Sequence, residues 1–309
     1  MPLHLTHRPT TLDEIVGNEN VIESLRSVLE RKDDIPHSFL FTGPAGTGKS
    51  SLARIIQTTL NCTNSDFFDI NTASSRGIDT IRDIIESSHF APMLGKIKIF
   101  LLEEVHGLTP QAFESLLVLL EDPPKHVVLI LCTTELAKIK PTIRRRCHHT
   151  ELKPLSLPQI KKLLKAILEK ENVAEFPGAV LEKIADVCNG SPGQALNLLD
   201  TVIDIADDDT ALKAIEDATV SEANIAEIAR ILLAGNGKWS QIAKLIKGLT
   251  GEAESLRYAF LGYFNAVLLG KGTDRVAEIM MQFIESVMYS SRAGLTLEIY
   301  LAYKASLLK

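Results

Sequence analysis

The chain has 309 residues, enough for two or three domains with sizeable cores, and its 45% hydrophobic and 23% charged content is that of an ordinary globular protein. No apolar run is long enough to span a membrane and the first residues carry no signal-peptide core, so the expectation is a cytoplasmic protein, host-cytoplasmic if viral. The net charge of −6 excludes a protein that coats DNA by bulk positive charge, and Cys62, Cys132, Cys147 and Cys188 lack the CxxC spacing of a zinc site, so no zinc and no disulfide framework are expected.

Residues 38–41, Ser-Phe-Leu-Phe, predict a short buried strand that runs straight into a glycine-rich loop. That loop, Gly43-Pro44-Ala45-Gly46-Thr47-Gly48-Lys49-Ser50, fits GxxxxGK[ST]. The chemistry needs this spacing. The glycines let backbone N–H groups curl toward phosphate oxygens, Lys49 supplies positive charge to the β- and γ-phosphates, and the Ser50 hydroxyl ligates Mg2+. A helix predicted over 50–60, with Ser51 in its first turn, adds its N-terminal dipole. Residues 43–51 are therefore assigned to nucleotide binding, with ATP and Mg2+ as cofactors.

A helix over 78–88, opened by Gly77, precedes a second buried strand at 97–102 that ends in Glu103-Glu104. Phosphoryl transfer needs a carboxylate near Mg2+ and a group that orients the attacking water. Glu103 is assigned to the metal, partly through coordinated water, and Glu104 to polarising the nucleophile. A third strand is predicted at 127–132, Val-Val-Leu-Ile-Leu-Cys. Short apolar runs alternating with helices indicate an α/β fold, a parallel sheet covered on both faces.

After Leu152 the strand signals stop. Ser156 with Gln159 three residues on reads as a capped helix start, followed by Ile160, Leu163, Leu164, Ile167 and Leu168 at helical spacing. A second helix carries Val180, Leu181, Ile184 and Val187, and Ser191-Pro192-Gly193-Gln194 opens a third. Further helices follow, with breaks at Gly235-Asn236-Gly237 and Gly270-Lys271-Gly272. The expected domains are 1–152, 153–217 and 218–309.

These motifs together resemble the AAA+ sliding-clamp loaders, the bacterial clamp-loader motor subunit and the small subunits of replication factor C, over residues 5 to about 205. Arg8-Pro9 and Ile15-Val16-Gly17-Asn18 resemble the family's adenine-binding segment, with His7 and Asn18 in place of Tyr and Gln. Glu103-Glu104-Val105-His106 resembles the bacterial Asp-Glu-Val-His. By the same resemblance Thr134 is the sensor 1 residue, and Arg146, in Arg145-Arg146-Cys147, is the arginine finger that reaches a neighbour's nucleotide. Ser75-Arg76-Gly77-Ile78-Asp79 and Arg82 resemble the replication factor C segment that tracks DNA, and a helix start flanked by arginines suits phosphate contacts blind to sequence.

The chain departs from the pattern in three places. Glu103 stands for Asp, Gly193 stands for the sensor 2 arginine in a form that resembles the bacterial delta-prime stator, and no zinc module follows Cys62. A short, zinc-free chain of this kind resembles a phage or archaeal version. The resemblance implies a P-loop AAA+ domain, a helical lid and a helical collar, in a ring-like, pentameric assembly that opens a sliding clamp and places it on primer–template DNA. Two alternatives stay open: a non-hydrolysing stator of the same loader, and another AAA+ DNA-remodelling motor.

Overall fold

The three apolar runs become the inner strands of a five-stranded parallel sheet. Its strands are β1 (Ser38–Thr42), β2 (Phe67–Asn71), β3 (Lys98–Glu103), β4 (Val127–Thr133) and β5 (His148–Glu151), in the order β2-β3-β4-β1-β5. The computed structural model describes residues 2–31, 35–72, 77–173, 175–235, 237–249, 253–271, 273–284 and 292–307. Helices α1 (Leu3–Thr6), α2 (Glu19–Leu29), α3 (Lys49–Thr59), α4 (Ile78–Ser88), α5 (Pro110–Glu121) and α6 (Pro141–Arg144) alternate with these strands. Along each inner strand the side chains divide between two cores. Phe39, Phe41, Ile99, Leu101, Val128 and Ile130 pack with Leu25 of α2 and Leu52, Ile55 and Ile56 of α3. Leu40, Phe100, Leu102, Leu129 and Leu131 pack with Ile81 and Ile84 of α4 and Leu116 of α5. Burial on both faces is why these runs lack the polar alternation of a one-sided sheet.

The edges are built differently. In β5 the His148 ring packs edge-on against Phe39 with centroids 5.9 Å apart, and His149 Nε2 lies 2.9 Å from Thr42 Oγ1. Beyond β5 come α7 (Leu157–Lys170), α8 (Gly178–Val187) and α9 (Pro192–Val202), which form one compact unit, Met1–Asp204, with the sheet. Ser156 and Gln159 make the expected capping box, and Ser191 Oγ accepts from the Gln194 N–H at 3.3 Å.

The second unit, Ile205–Lys309, holds α10 (Asp208–Ala234), α11 (Trp239–Lys247), α12 (Ala253–Lys271), α13 (Asp274–Met281) and α14 (Arg292–Leu307). Helix α10 runs unbroken through positions 217 and 218 and ends at Gly235, in the left-handed conformation at φ 64°. Phe260, Phe264 and Phe283 stack at the centre of this unit's core. Among the described residues no helix is long and apolar enough to cross a membrane.

The four cysteines are free thiols. Burial pushes Cys62 up to about 11 and Cys147 up to about 12, so these sulfurs stay protonated and unreactive near neutrality.

One buried carboxylate organises a surface loop. Asp66 is fully buried and accepts from Thr63 Oγ1 at 2.8 Å and from the N–H groups of Met93, Leu94 and Gly95 at 2.5, 3.1 and 3.0 Å. Burial alone would raise its pKa, but these four donors bring it down to about 2, against an ordinary 3.8. A depressed carboxylate stabilises the fold above its unfolded pKa and loses that contribution as pH falls through the folded one. Asp66→Asn is therefore expected to destabilise the protein at neutral pH, and the gap in melting temperature from wild type should close between about pH 4 and pH 2. A gap that stays constant across that range would show that the carboxylate charge is not what holds the loop.

Candidate nucleotide-binding site

The phosphate loop leaves β1 at Thr42 and closes into α3. Gly43 takes φ 143°, and a Cβ there would meet the Leu152 backbone oxygen at 2.3 Å. Gly46 takes φ 72°, and a Cβ there would fall 2.2 Å from Ser191 Oγ at the start of α9. Both positions need glycine for the turn and for close approach. The Gly193 N–H donates to the Gly46 oxygen at 3.2 Å, so at the position expected for sensor 2 the contact with the loop is made by backbone.

Lys49 is buried at 8% exposure, and its ammonium donates to the carbonyl oxygens of Gly43 and Pro44, each at 2.8 Å. Burial pulls its pKa below the usual lysine value, and the negative charges of Glu104 and Glu103 oppose that shift. Beside it, Ser50 Oγ donates to Glu103 Oε1 at 2.5 Å. A hydroxyl and a carboxylate brought together from α3 and β3 form an oxygen donor set that suits Mg2+, which takes one or two protein oxygens and completes its shell with water and phosphate. Among the described residues no group of three or more His, Cys, Asp or Glu side chains is placed to hold a metal by itself. Glu in place of Asp at 103 thus still reaches Ser50.

Glu104 follows the end of β3 in the left-handed region at φ 52°, a conformation that costs a non-glycine residue about 1–2 kcal/mol. Thr72 holds it there. This fully buried threonine directly follows β2; its N–H donates to the Glu103 oxygen at 2.9 Å and its hydroxyl reaches the carbonyl oxygens of Glu103 and Glu104 at 2.9 and 2.8 Å. The Glu104 side chain meets Thr134, whose Oγ1 donates to Glu104 Oε2 at 3.0 Å. The carboxylate expected to polarise water and the threonine expected to sense the γ-phosphate are therefore in direct contact.

A cavity of about 370 Å3 joins these parts. Ala45, Gly46, Thr47, Gly48, Lys49, Ser50, Ser51, Glu103 and Glu104 line it, together with Arg8, Pro9, Ile15 and Val16 of the N-terminal segment. Leu163, Ala166, Ile167 and Lys170 of α7 and Gly193 also line it. Its size and its mix of apolar wall and polar loop suit a nucleotide-sized ligand. Gly43 and Pro44 do not line it; they act through the carbonyl oxygens that hold Lys49. His7 and Asn18, the two departures in the adenine-binding segment, both line it; His7 pairs with Glu171, just past α7, and Asn18 exchanges hydrogen bonds with the Lys153 backbone at 2.9 and 3.1 Å.

Arg146 stands apart from the cavity. It is exposed, donates to the Thr142 oxygen at 2.9 Å and pairs with Glu121. In the expected DNA-tracking segment, Ser75 and Arg76 lie outside the described residues. Gly77 caps α4 as expected, Ile78 begins it, and exposed Arg82 bonds Asp79 at 3.0 Å. No motif in the sequence singles out Thr72, His4 or Lys170. A threonine after a half-polar strand carries no periodic signal, and His4 and Lys170 reach the cavity only through the fold.

A family model described as DNA polymerase III, delta subunit, matches residues 64–156, and one described as the Sigma-54 interaction domain matches residues 15–98. The DNA polymerase III subunit tau of Bacillus subtilis is 32% identical over 95% of this chain and 53% of that protein. Subunit tau of Escherichia coli is 31% identical over 85% of this chain and 44% of that protein. Subunit gamma of Buchnera aphidicola is 33% identical over 67% of this chain and 62% of that protein. The chain thus spans about half the length of the tau subunits it matches. Among solved structures, the RuvB Holliday junction branch migration motor of Thermotoga maritima superposes with a TM-score of 0.60 at 22% identity, over 82% of this chain and 84% of that one. That likeness bears on the fold alone.

Proposed function

We propose that the chain, similar to the tau and gamma subunits of DNA polymerase III over most of its length, hydrolyses ATP with Mg2+ as a motor subunit of a sliding-clamp loader. The observation that carries this reading is the convergence, at the carboxyl ends of β1, β3 and β4, of Lys49, the Ser50–Glu103 pair and the Glu104–Thr134 pair. Bound ATP–Mg2+ supplies the γ-phosphoryl group and the cation that spreads its charge. Lys49 and the loop N–H groups bind the phosphates, Ser50 and Glu103 hold the metal, and Glu104 orients and polarises water, with Thr134 holding its Oε2. The expected parts, a nucleotide-binding domain over 1–152, a lid over 153–217 and a collar over 218–309, belong to this proposal. So do a ring-like, pentameric assembly, a cytoplasmic setting and DNA contact through residues 75–78 and Arg82.

The loop pinned by Asp66 supports the clamp as a partner. Lys98, buried in β3, donates to the Ser87 and Phe90 oxygens at 2.8 and 2.9 Å, and His126 Nε2 lies 3.0 and 3.1 Å from the Ser88 and Phe90 oxygens. Three polar anchors thus hold a segment whose Phe90, Met93 and Leu94 are 63%, 76% and 77% exposed. Large apolar side chains on a rigid backbone bind a partner with little ordering cost.

The test is steady-state ATP hydrolysis by the chain in its native assembly, with and without primed DNA and clamp. Stimulation by both is expected. Met93→Ser with Leu94→Ser should remove the clamp-dependent part and spare the DNA-dependent part. Arg76→Ala with Arg82→Ala should instead weaken DNA stimulation and flatten its salt dependence. ATP binding without turnover under every condition would favour the stator, a reading that the glycine backbone contact at sensor 2 supports.

A further inference from the structure

We propose that His106 is a positioning residue for the Glu104 carboxylate and that Glu135 holds it in place; this rests on the ATPase reading above. His106 lies two residues past Glu104, in the short turn Val105–Gly107 that follows β3. Its side chain is 18% exposed, and each ring nitrogen faces a carboxylate. Nδ1 is 3.2 Å from Glu104 Oε2 and 3.0 Å from Thr133 Oγ1, and Nε2 is 3.3 Å from Glu135 Oε1. Nδ1 thus hydrogen-bonds the Thr133 hydroxyl with the Glu104 carboxylate beside it, and Nε2 lies beside Glu135.

The surroundings fix the ring in this slot. Thr133 is fully buried at the end of β4, and its hydroxyl oxygen accepts the Glu135 N–H at 3.0 Å, so one threonine ties the Glu135 backbone to the imidazole. Lys138 Nζ donates to the same Glu135 Oε1 at 2.8 Å and steadies that carboxylate. On the other side, Oε2 of Glu104 accepts from the Thr134 hydroxyl at 3.0 Å and has the imidazole Nδ1 3.2 Å away. With Oε2 confined between the Thr134 hydroxyl and the imidazole, Oε1 is left for the attacking water. A carboxylate on a flexible side chain gains most from being held, because a displacement of about 1 Å can cost about 100-fold in rate.

The two amide substitutions separate the two sides of the ring. The Asn side-chain nitrogen falls near the place of Nδ1 and serves Glu104; the Gln nitrogen falls near the place of Nε2 and serves Glu135. In the assembled protein, His106→Ala should lower kcat by about 10- to 100-fold with KM for ATP little changed. His106→Asn should recover most of the loss, and His106→Gln should recover less. Glu135→Ala should give a smaller drop, and its combination with His106→Ala should be no worse than His106→Ala alone. On top of Glu104→Gln, His106→Ala should cost nothing further, because the group it positions is gone.

An unchanged kcat in His106→Ala, a loss that adds in full to that of Glu104→Gln, or a change confined to KM and melting temperature would overturn the inference. Wild-type turnover, measured in the same assay, separates the cases. A wild type without hydrolysis overturns the ATPase reading and this inference with it. An active wild type beside an equally active His106→Ala overturns this inference alone.

Discussion

Glu104→Gln is expected to lower ATP turnover by about 10²–10⁴-fold while nucleotide affinity stays nearly unchanged. The substitution is isosteric, and the amide oxygen can still accept from Thr134 Oγ1, which now bonds Glu104 Oε2 at 3.0 Å. Left-handed backbone at φ 52° and the Thr72 bonds to the Glu103 and Glu104 carbonyls do not depend on the side-chain charge. What disappears is the negative oxygen that draws a proton from water. The phosphate contacts belong to Lys49 and the loop, so equilibrium binding of a labelled nucleotide should report a near-native site. Lost binding would mean that the Glu104 charge, which opposes the burial shift at Lys49, is needed to keep that ammonium charged. Undiminished turnover would move the role of positioning water to another group.

The parts of this site that were legible in the sequence are those where chemistry dictates a local pattern. Glycines at 43, 46 and 48 with Lys49 and Ser50 can be read directly because backbone curvature and phosphate charge leave few substitutes. The inner strands were legible because burial on both faces demands continuous apolar runs. The capping box at Ser156 and the serine cap at Ser191 announced helices α7 and α9, since the side chains that cap a helix act within three residues of it. The rest depends on distance in space. Strand β5 reads His-His-Thr-Glu, and its pairing with β1 rests on ring packing against Phe39 and a hydroxyl contact with Thr42. Thr72 and Glu103 are 31 positions apart and meet because β2 lies beside β3. Asp66 resembles any polar loop residue until the 93–95 backbone closes over it. Gly193 was visible as a missing arginine, but its backbone bond to Gly46 was not, because a glycine announces no partner.

Arg146→Ala is expected to leave nucleotide binding by the chain intact and to cut turnover of the assembly by about 10³–10⁵-fold. Arg146 does not line the chain's own cavity, so the expected effect is one exerted on a neighbour. Its present partners are weak holds. The ion pair with exposed Glu121 is worth about 0–1 kcal/mol, so the guanidinium is free to leave it for a phosphate. Arg144, two residues earlier, does the structural work: its guanidinium donates to the oxygens of Ile139 and Leu136 at 2.8 and 2.5 Å and anchors the segment from which Arg146 extends. Arg144→Ala should therefore lower stability and turnover together, whereas Arg146→Ala should lower turnover alone. Mixing decides between action on a neighbour and action within the chain. In assemblies where copies of this chain adjoin, Arg146→Ala protein and Glu104→Gln protein are each inactive, yet randomly mixed they should recover about a quarter of the wild-type sites, those that combine an intact Glu104 with a neighbour's intact Arg146. If the two residues served the same chain's nucleotide, every site in the mixture would carry one lesion and no activity would return.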